Sequence, residues 1–73
     1  MHKPLDTFAK TLLKFRKNKG LSQEQLAELA DLHRTYVSGL ERAQRNPTLT
    51  TLARIAQALS VKTSELVAGV ENE

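Results

Sequence analysis

The sequence has 73 residues, eleven Lys and Arg against eight Asp and Glu for a net charge of +3, and no cysteine. That length fits one domain, spanning 1–73, with a core small enough that association between chains adds useful stability; the missing cysteines exclude disulfide staples and thiolate metal sites and suit a reducing compartment. No apolar run approaches the roughly 20 residues that cross a bilayer, and MHKPLDTFAK lacks the apolar stretch of a secretory signal, so the expected location is the cytoplasm, without a membrane partner.

Pro4 can open a first helix, because its fixed φ suits the first turn and its missing N–H has no helical partner there. Asp6 falls in that turn, and Leu5, Phe8, Ala9, Leu12 and Phe15 recur at helical spacing up to Asn18, with Gly20 as the stop. Leu13 lies off that stripe. Ser22 precedes QEQLAELA, where its hydroxyl can cap free amides while Gln25, three positions on, reaches back as in a capping box. In this short second helix Leu26, Ala27, Leu29 and Ala30 are expected to face inward, with the small Ala27 admitting a close neighbour. A turn at Asp31 and Leu32 leads into LHRTYVSGLER, a third helix in which Val37 and Leu40 point inward and His33, Arg34, Thr35 and Ser38 are left outside. AQRNP interrupts it. Pro47 and Thr48 supply a stop and then a cap for a fourth helix carrying Leu49, Leu52, Ala53, Ile55, Ala56 and Leu59. Ser60 to Thr63 break the pattern, Ser64 to Val67 suggest a short fifth helix ending at Gly69, and residues 70–73 read as a frayed tail.

No alternating run is long enough for a strand, so the expected class is all-α, a compact five-helix bundle. Two short helices joined by a tight turn, the second displaying polar groups outward, form a helix-turn-helix that can lay a helix in a major groove. The charge distribution is compatible with that use. KFRKNK carries four bases and no acid, Arg34, Arg42 and Arg45 follow, and the tail ENE is acidic, so a polyanion would meet the first two thirds of the chain. A solvated surface that keeps the chain soluble would carry the same charges.

The stretch RKNKGLSQEQLAELADLHRTYVSGLERAQRNPTLTTLARIAQAL, Arg16 to Leu59, resembles the phage-repressor and Cro-like helix-turn-helix family, the XRE type. GLSQEQLAE, LHRTYVSGLER and RNPTLTTL occur in that family's order and spacing, and with the flanking helices the likeness covers nearly the whole chain. The size and the lack of a second domain also resemble the small controller proteins of restriction-modification systems. The resemblance implies a lambda-repressor-like fold. It further implies a sequence-specific regulator of transcription that binds inverted-repeat operators in double-stranded DNA as a homodimer, possible control of restriction-modification genes, and no cofactor.

By that resemblance His33, Arg34, Thr35 and Ser38 occupy exposed positions of a recognition helix and are candidate base contacts. Arg34 could donate two hydrogen bonds to guanine O6 and N7, a pairing worth about 1–3 kcal/mol of discrimination. Thr35 could combine a hydroxyl contact with methyl packing against thymine, and His33 could donate to a base or a phosphate. Gln23 at the start of the second helix, and Arg42, Gln44, Arg45, Asn46 and Thr48 after the third, are candidate phosphate contacts. Tyr36 has two readings: a phosphate contact, or a ring covering the edge of the core with its hydroxyl in water. Ser38 could equally be an ordinary exposed serine.

Gly39 stands where family members often carry a DNA-reading side chain, and a glycine inside a helix costs about 1 kcal/mol relative to alanine. It either lets DNA approach closely or reads nothing. Asp31 and Ala43 stand where the family commonly has glycine, so the exit at Ala43 is expected to differ locally. Arg16 and Glu41 match residues that pair across the first and third helices, which makes Glu41 structural rather than catalytic. Val61, Leu66 and Val70 are candidates for a dimer seam. A dimer overlapping a promoter would exclude polymerase, whereas one bound just upstream could touch RNA polymerase and recruit it. The alternative is an antitoxin or adaptor that uses the same helices to bind protein. An enzyme is not expected, because His2 and His33 lack metal-ligand companions, the serines lack a nucleophile elbow, and Gly20, Gly39 and Gly69 are too scattered for a phosphate loop.

Overall fold

The computed structural model describes residues 4–70. Pro4 is the first residue of α1 (Pro4–Asn18), with Asp6 in its first turn and Arg16 and Lys17 in its last, so both ends carry the charge that complements the helix dipole. α2 (Gln23–Ala30) begins in a capping box: Ser22 Oγ accepts from the Gln25 N–H at 3.0 Å, and Gln25 Oε1 accepts from the Ser22 N–H at 2.9 Å. α3 (Arg34–Glu41) starts after His33 without a side-chain cap. α4 (Leu49–Leu59) is capped by Thr48, whose Oγ1 accepts from the Thr51 N–H at 3.1 Å. α5 (Thr63–Leu66) is one turn, started by the Glu65 carboxylate accepting from the Lys62 N–H at 2.8 Å; it ends before Gly69.

α1 to α4 terminate alike. Gly20, Asp31, Ala43 and Ser60 each have positive φ, between 57° and 73°. In each case the next N–H reaches back to a carbonyl of the last turn: Leu21 to Arg16, Leu32 to Ala27, Gln44 to Gly39 and Val61 to Ala56, at 2.8–3.2 Å. A left-handed residue reverses the chain and satisfies a carbonyl that the helix leaves orphaned. Only Gly20 does so without a Cβ; elsewhere the Cβ crowds the following carbonyl, at about 1–2 kcal/mol. The exit at Ala43 therefore keeps the reversal that a glycine would make, and carries the strain. Ala43→Gly is expected to raise the unfolding free energy by about 1 kcal/mol, net of the freedom glycine adds to the unfolded chain. Urea denaturation should show a higher midpoint at an unchanged slope.

Phe8 and Leu12 of α1, Leu26, Ala27 and Ala30 of α2, Val37 and Leu40 of α3, Ile55, Ala56 and Leu59 of α4, and Leu66 of α5 form one buried cluster. α3 packs against α1 and α2, while α4 joins α2 to α5. Ala27 is buried where a larger side chain would hold the neighbouring helices apart.

Leu29, expected to face inward, does not, and two members of the fourth helix's apolar pattern, Leu49 and Ala53, also lie outside the core. Leu29 is 60% and Leu49 76% exposed, and Ala53 is exposed as well. At about 100° per residue, Leu29 points roughly 110° away from the centre of the arc set by Leu26, Ala27 and Ala30, and Ala53 diverges similarly from Ile55, Ala56 and Leu59. Leu49 is the first residue of α4, beyond the reach of the core.

Leu66, expected at a dimer seam, is solvent-free inside the chain's own core and has no surface to offer a partner. The single turn of α5 docks through it. Val61 and Val70 are half-buried against the same cluster. Val70 is not frayed: its N–H donates to the Val67 carbonyl at 3.0 Å. The rest of the expected tail, 71–73, lies outside the described residues. Among the described residues no helix is long and apolar enough to cross a membrane.

Candidate nucleic-acid interface

α3 has eight residues and needs more than Val37 and Leu40 to fix its orientation. The Arg16 guanidinium supplies it. Nε donates to Glu41 Oε2 at 2.6 Å, Nη2 to Oε1 at 3.0 Å, and Nη1 to the Leu21 carbonyl at 2.7 Å. The two side chains are 11% and 5% exposed. Gln23 Nε2 donates to the same Oε1 at 2.9 Å. One carboxylate thus ties the end of α1 and the start of α2 to the last residue of α3, fixing both tilt and rotation.

The hydrogen bonds that the Arg16 guanidinium donates to Glu41 hold it protonated above its ordinary range; burial opposes this, and the charge attraction adds to it. A pKa raised on folding gives a stabilisation that is complete below the unfolded value and fades only as pH rises through the folded one. For a guanidinium that window is strongly alkaline, so Arg16 adds no pH dependence near neutrality.

With α3 so fixed, His33, Arg34 and Thr35 are exposed and Ser38 half-buried. Taking about 100° per residue from the Val37–Leu40 direction, Thr35, Ser38, Gly39 and Arg42 point furthest outward, with Arg34 on one flank and Tyr36 on the other. Thr35 and Ser38 therefore lie on the side of α3 that its anchors leave free and Arg34 borders it, whereas His33, the residue before the helix, is exposed at its start and does not share that side. Arg42, Gln44, Arg45, Asn46 and Thr48 are exposed along the segment that follows.

Two phosphate-contact candidates are already engaged. Gln23 gives an amide hydrogen to Glu41. The Thr48 hydroxyl accepts from the Thr51 N–H and donates to Thr51 Oγ1 at 3.0 Å. Tyr36 is half-buried against the core, which gives its ring a packing role, and the guanidinium carbon of Arg45 lies 5.9 Å from its centroid.

Sequence reading missed the Gln23 bond to Glu41 and the Arg45 placement over Tyr36. The first leaves no local signal, since the partners are 18 residues apart. The second depends on the reversal at Ala43, which returns the chain toward α3. Among the described residues no group of three or more His, Cys, Asp or Glu could hold a metal ion.

A family model of helix-turn-helix domains, HTH_3, matches residues 12–66, taking in all of α2, α3, α4 and α5. The chain belongs to this family. Control protein C.SmaI from Serratia marcescens is similar to this HTH_3 chain, 43% identical over 70 residues that span 93% of this chain and 83% of the relative. Control protein C.MunI from a Mycoplasma species is 43% identical over 67 residues, 90% of each chain. The crystal structure of the restriction-modification controller protein C.AhdI from Aeromonas hydrophila matches with a TM-score of 0.84 at 47% identity, covering 85% of this chain and 94% of that one. The HTH_3 chain is thus closely related to restriction-modification controllers, in a family of DNA-binding regulators rather than enzymes.

Proposed function

We propose that this HTH_3 protein binds an inverted-repeat operator as a homodimer and controls restriction-modification genes. The observation that supports the reading is the outward side of α3, where Arg34 and Thr35 are exposed and Ser38 half-buried on a helix fixed by the core and an ion pair, with His33 exposed just before its first residue. Arg34 is the principal base reader, through a planar pair of donors matched to guanine. Arg42, Gln44, Arg45 and Asn46 meet phosphates that set the register, with the Tyr36 hydroxyl beside them. Gln23 can contribute only the amide hydrogen left by Glu41, and Thr48 its place at the start of α4.

The dimer follows from reach. An eight-residue helix touches few base pairs, and one small module buries little area for selective binding. The described chain measures 32 × 22 × 22 Å, so two copies side by side can place their α3 helices in major-groove segments about one DNA turn, ~34 Å, apart. Val61 and Val70 keep part of their apolar surface for the seam; Leu66 does not contribute. The regulatory sign depends on where the operator lies: overlap with a promoter represses, and an upstream position allows contact with RNA polymerase.

Selection from randomised duplexes, followed by titrations at several salt concentrations and sedimentation of the complex, tests the reading. The expected result is an inverted repeat bound by two chains about 10³-fold or more tighter than scrambled DNA at physiological salt. No enrichment, with only weak salt-sensitive binding, overturns it.

A further inference from the structure

Gly39 points outward on α3 and yet is buried. Its cover is Arg45. A Cβ built on Gly39 would lie 2.8 Å from Arg45 Cγ and 3.6 Å from its Nε, closer than atoms pack in the first case. The Arg45 guanidinium continues past Gly39 to the Tyr36 ring, 5.9 Å from its centroid, a distance at which a cation is attracted to an aromatic face. Tyr36 and Gly39 are three residues apart and therefore adjacent on the helix surface. The left-handed exit at Ala43, with the Gln44 N–H bonded to the Gly39 carbonyl at 2.8 Å, turns the chain so that the next side chain can lie across both.

We propose that Gly39 and Tyr36 form a seat on α3 that holds Arg45 extended for DNA, making Gly39 a positioning residue for operator binding through Arg45. The inference rests on the operator-binding reading above. It replaces both sequence-level accounts of Gly39, because the surface DNA would meet there is arginine rather than bare backbone. A long side chain free in a loop must be ordered when it binds, and that ordering weakens binding; a seated one is ordered in advance. No carboxylate pairs with Arg45 among the described residues, so its charge remains for a phosphate. The close contact is at Cγ, near the root of the side chain, so a methyl group on Gly39 must displace the whole arginine rather than its tip.

Gly39 has no positive φ, so alanine suits its backbone and its helix. Gly39→Ala should therefore melt at the same temperature as the parent or higher, while its affinity for the selected operator falls about tenfold, comparable to losing a charge-assisted hydrogen bond. Its salt dependence should become shallower by about 0.9 per chain in the log–log slope, one phosphate contact each. In an Arg45→Ala background the same change should alter affinity by less than about twofold, because the residues act as one unit.

An equal loss in both backgrounds would mean that Gly39 serves DNA approach directly, and overturns the seat. So does parental affinity in Gly39→Ala. NMR of the free protein decides the matter even should that variant fail to fold: Tyr36 is the only tyrosine, and cross-relaxation from its ring and from the Gly39 α-protons to the Arg45 side chain is expected in the parent. Absence of those signals overturns the seat alone. A parent that does not prefer the selected duplex overturns the operator reading itself.

Discussion

Arg34→Ala is expected to bind the selected operator roughly 5- to 150-fold more weakly per half-site, the range for losing one well-formed arginine–guanine pair. Its melting temperature should be unchanged. Arg34 is exposed at the first position of α3 and makes no ion pair among the described residues, so removing it takes nothing from the fold. The pattern of loss matters more than its size. Against duplexes substituted one base pair at a time, the variant should lose preference at one position of each half-site and keep the others. Arg34→Lys should behave nearly as badly, because an ammonium lacks the rigid pair of donors. A loss uniform over all duplexes, with a shallower salt slope, would move Arg34 to the phosphate backbone and leave the reading of sequence to its neighbours.

Glu41→Ala should lower the unfolding free energy by about 3 kcal/mol. Small domains hold roughly 0.05–0.15 kcal/mol per residue, about 4–11 kcal/mol for a chain of this length, so much of the molecule's margin would go. The physical reason is what remains: an Arg16 guanidinium largely out of water with its carboxylate gone, and a Gln23 amide without its acceptor. Replacing both charges with apolar groups of similar shape, Arg16→Met with Glu41→Leu, should recover most of the stability, since a buried pair need not be a net stabiliser. That double variant should still bind the operator poorly. Apolar side chains can fill the space between α1 and α3 but cannot fix the rotation of an eight-residue helix as a two-pronged hydrogen bond does. Calorimetry and operator titration on the same samples would separate the two effects; parental affinity in the double variant would deny the pair its orienting role.

How much could be read without coordinates varied with how local the physics is. The Ser22–Gln25 box, the Thr48 cap and the Gly20 stop are chemistry within a few residues, and the structure has each of them. The Arg16–Glu41 pair spans 25 positions, and resemblance rather than spacing pointed to it. Burial at the edge of an apolar stripe was less legible. Leu29 and Ala53 belong to apolar runs, yet the packed arc of each helix is narrower than the run, and the position of its edge depends on which neighbour lies alongside. Leu66 failed in the opposite sense, since a single apolar residue in a one-turn helix does not reveal whether it faces its own core or another chain. The seat for Arg45 was invisible because it needs a left-handed turn at an alanine, a backbone state that alanine does not advertise.

The helix exits at Asp31, Ala43 and Ser60 also bear on how such a protein changes over generations. Codons for aspartate and alanine, and the AGY codons for serine, each stand a single nucleotide from glycine, the residue that would relieve the left-handed strain at those positions. The fold thus keeps several independent routes to greater stability within easy mutational reach, away from the outward face of α3. A lineage that acquires one of them can tolerate a costly substitution elsewhere, including one that retunes which bases are read. Divergence in target preference among relatives of this size would then be preceded by glycines appearing at the ends of helices, a sequence of events that reconstructed ancestors could display.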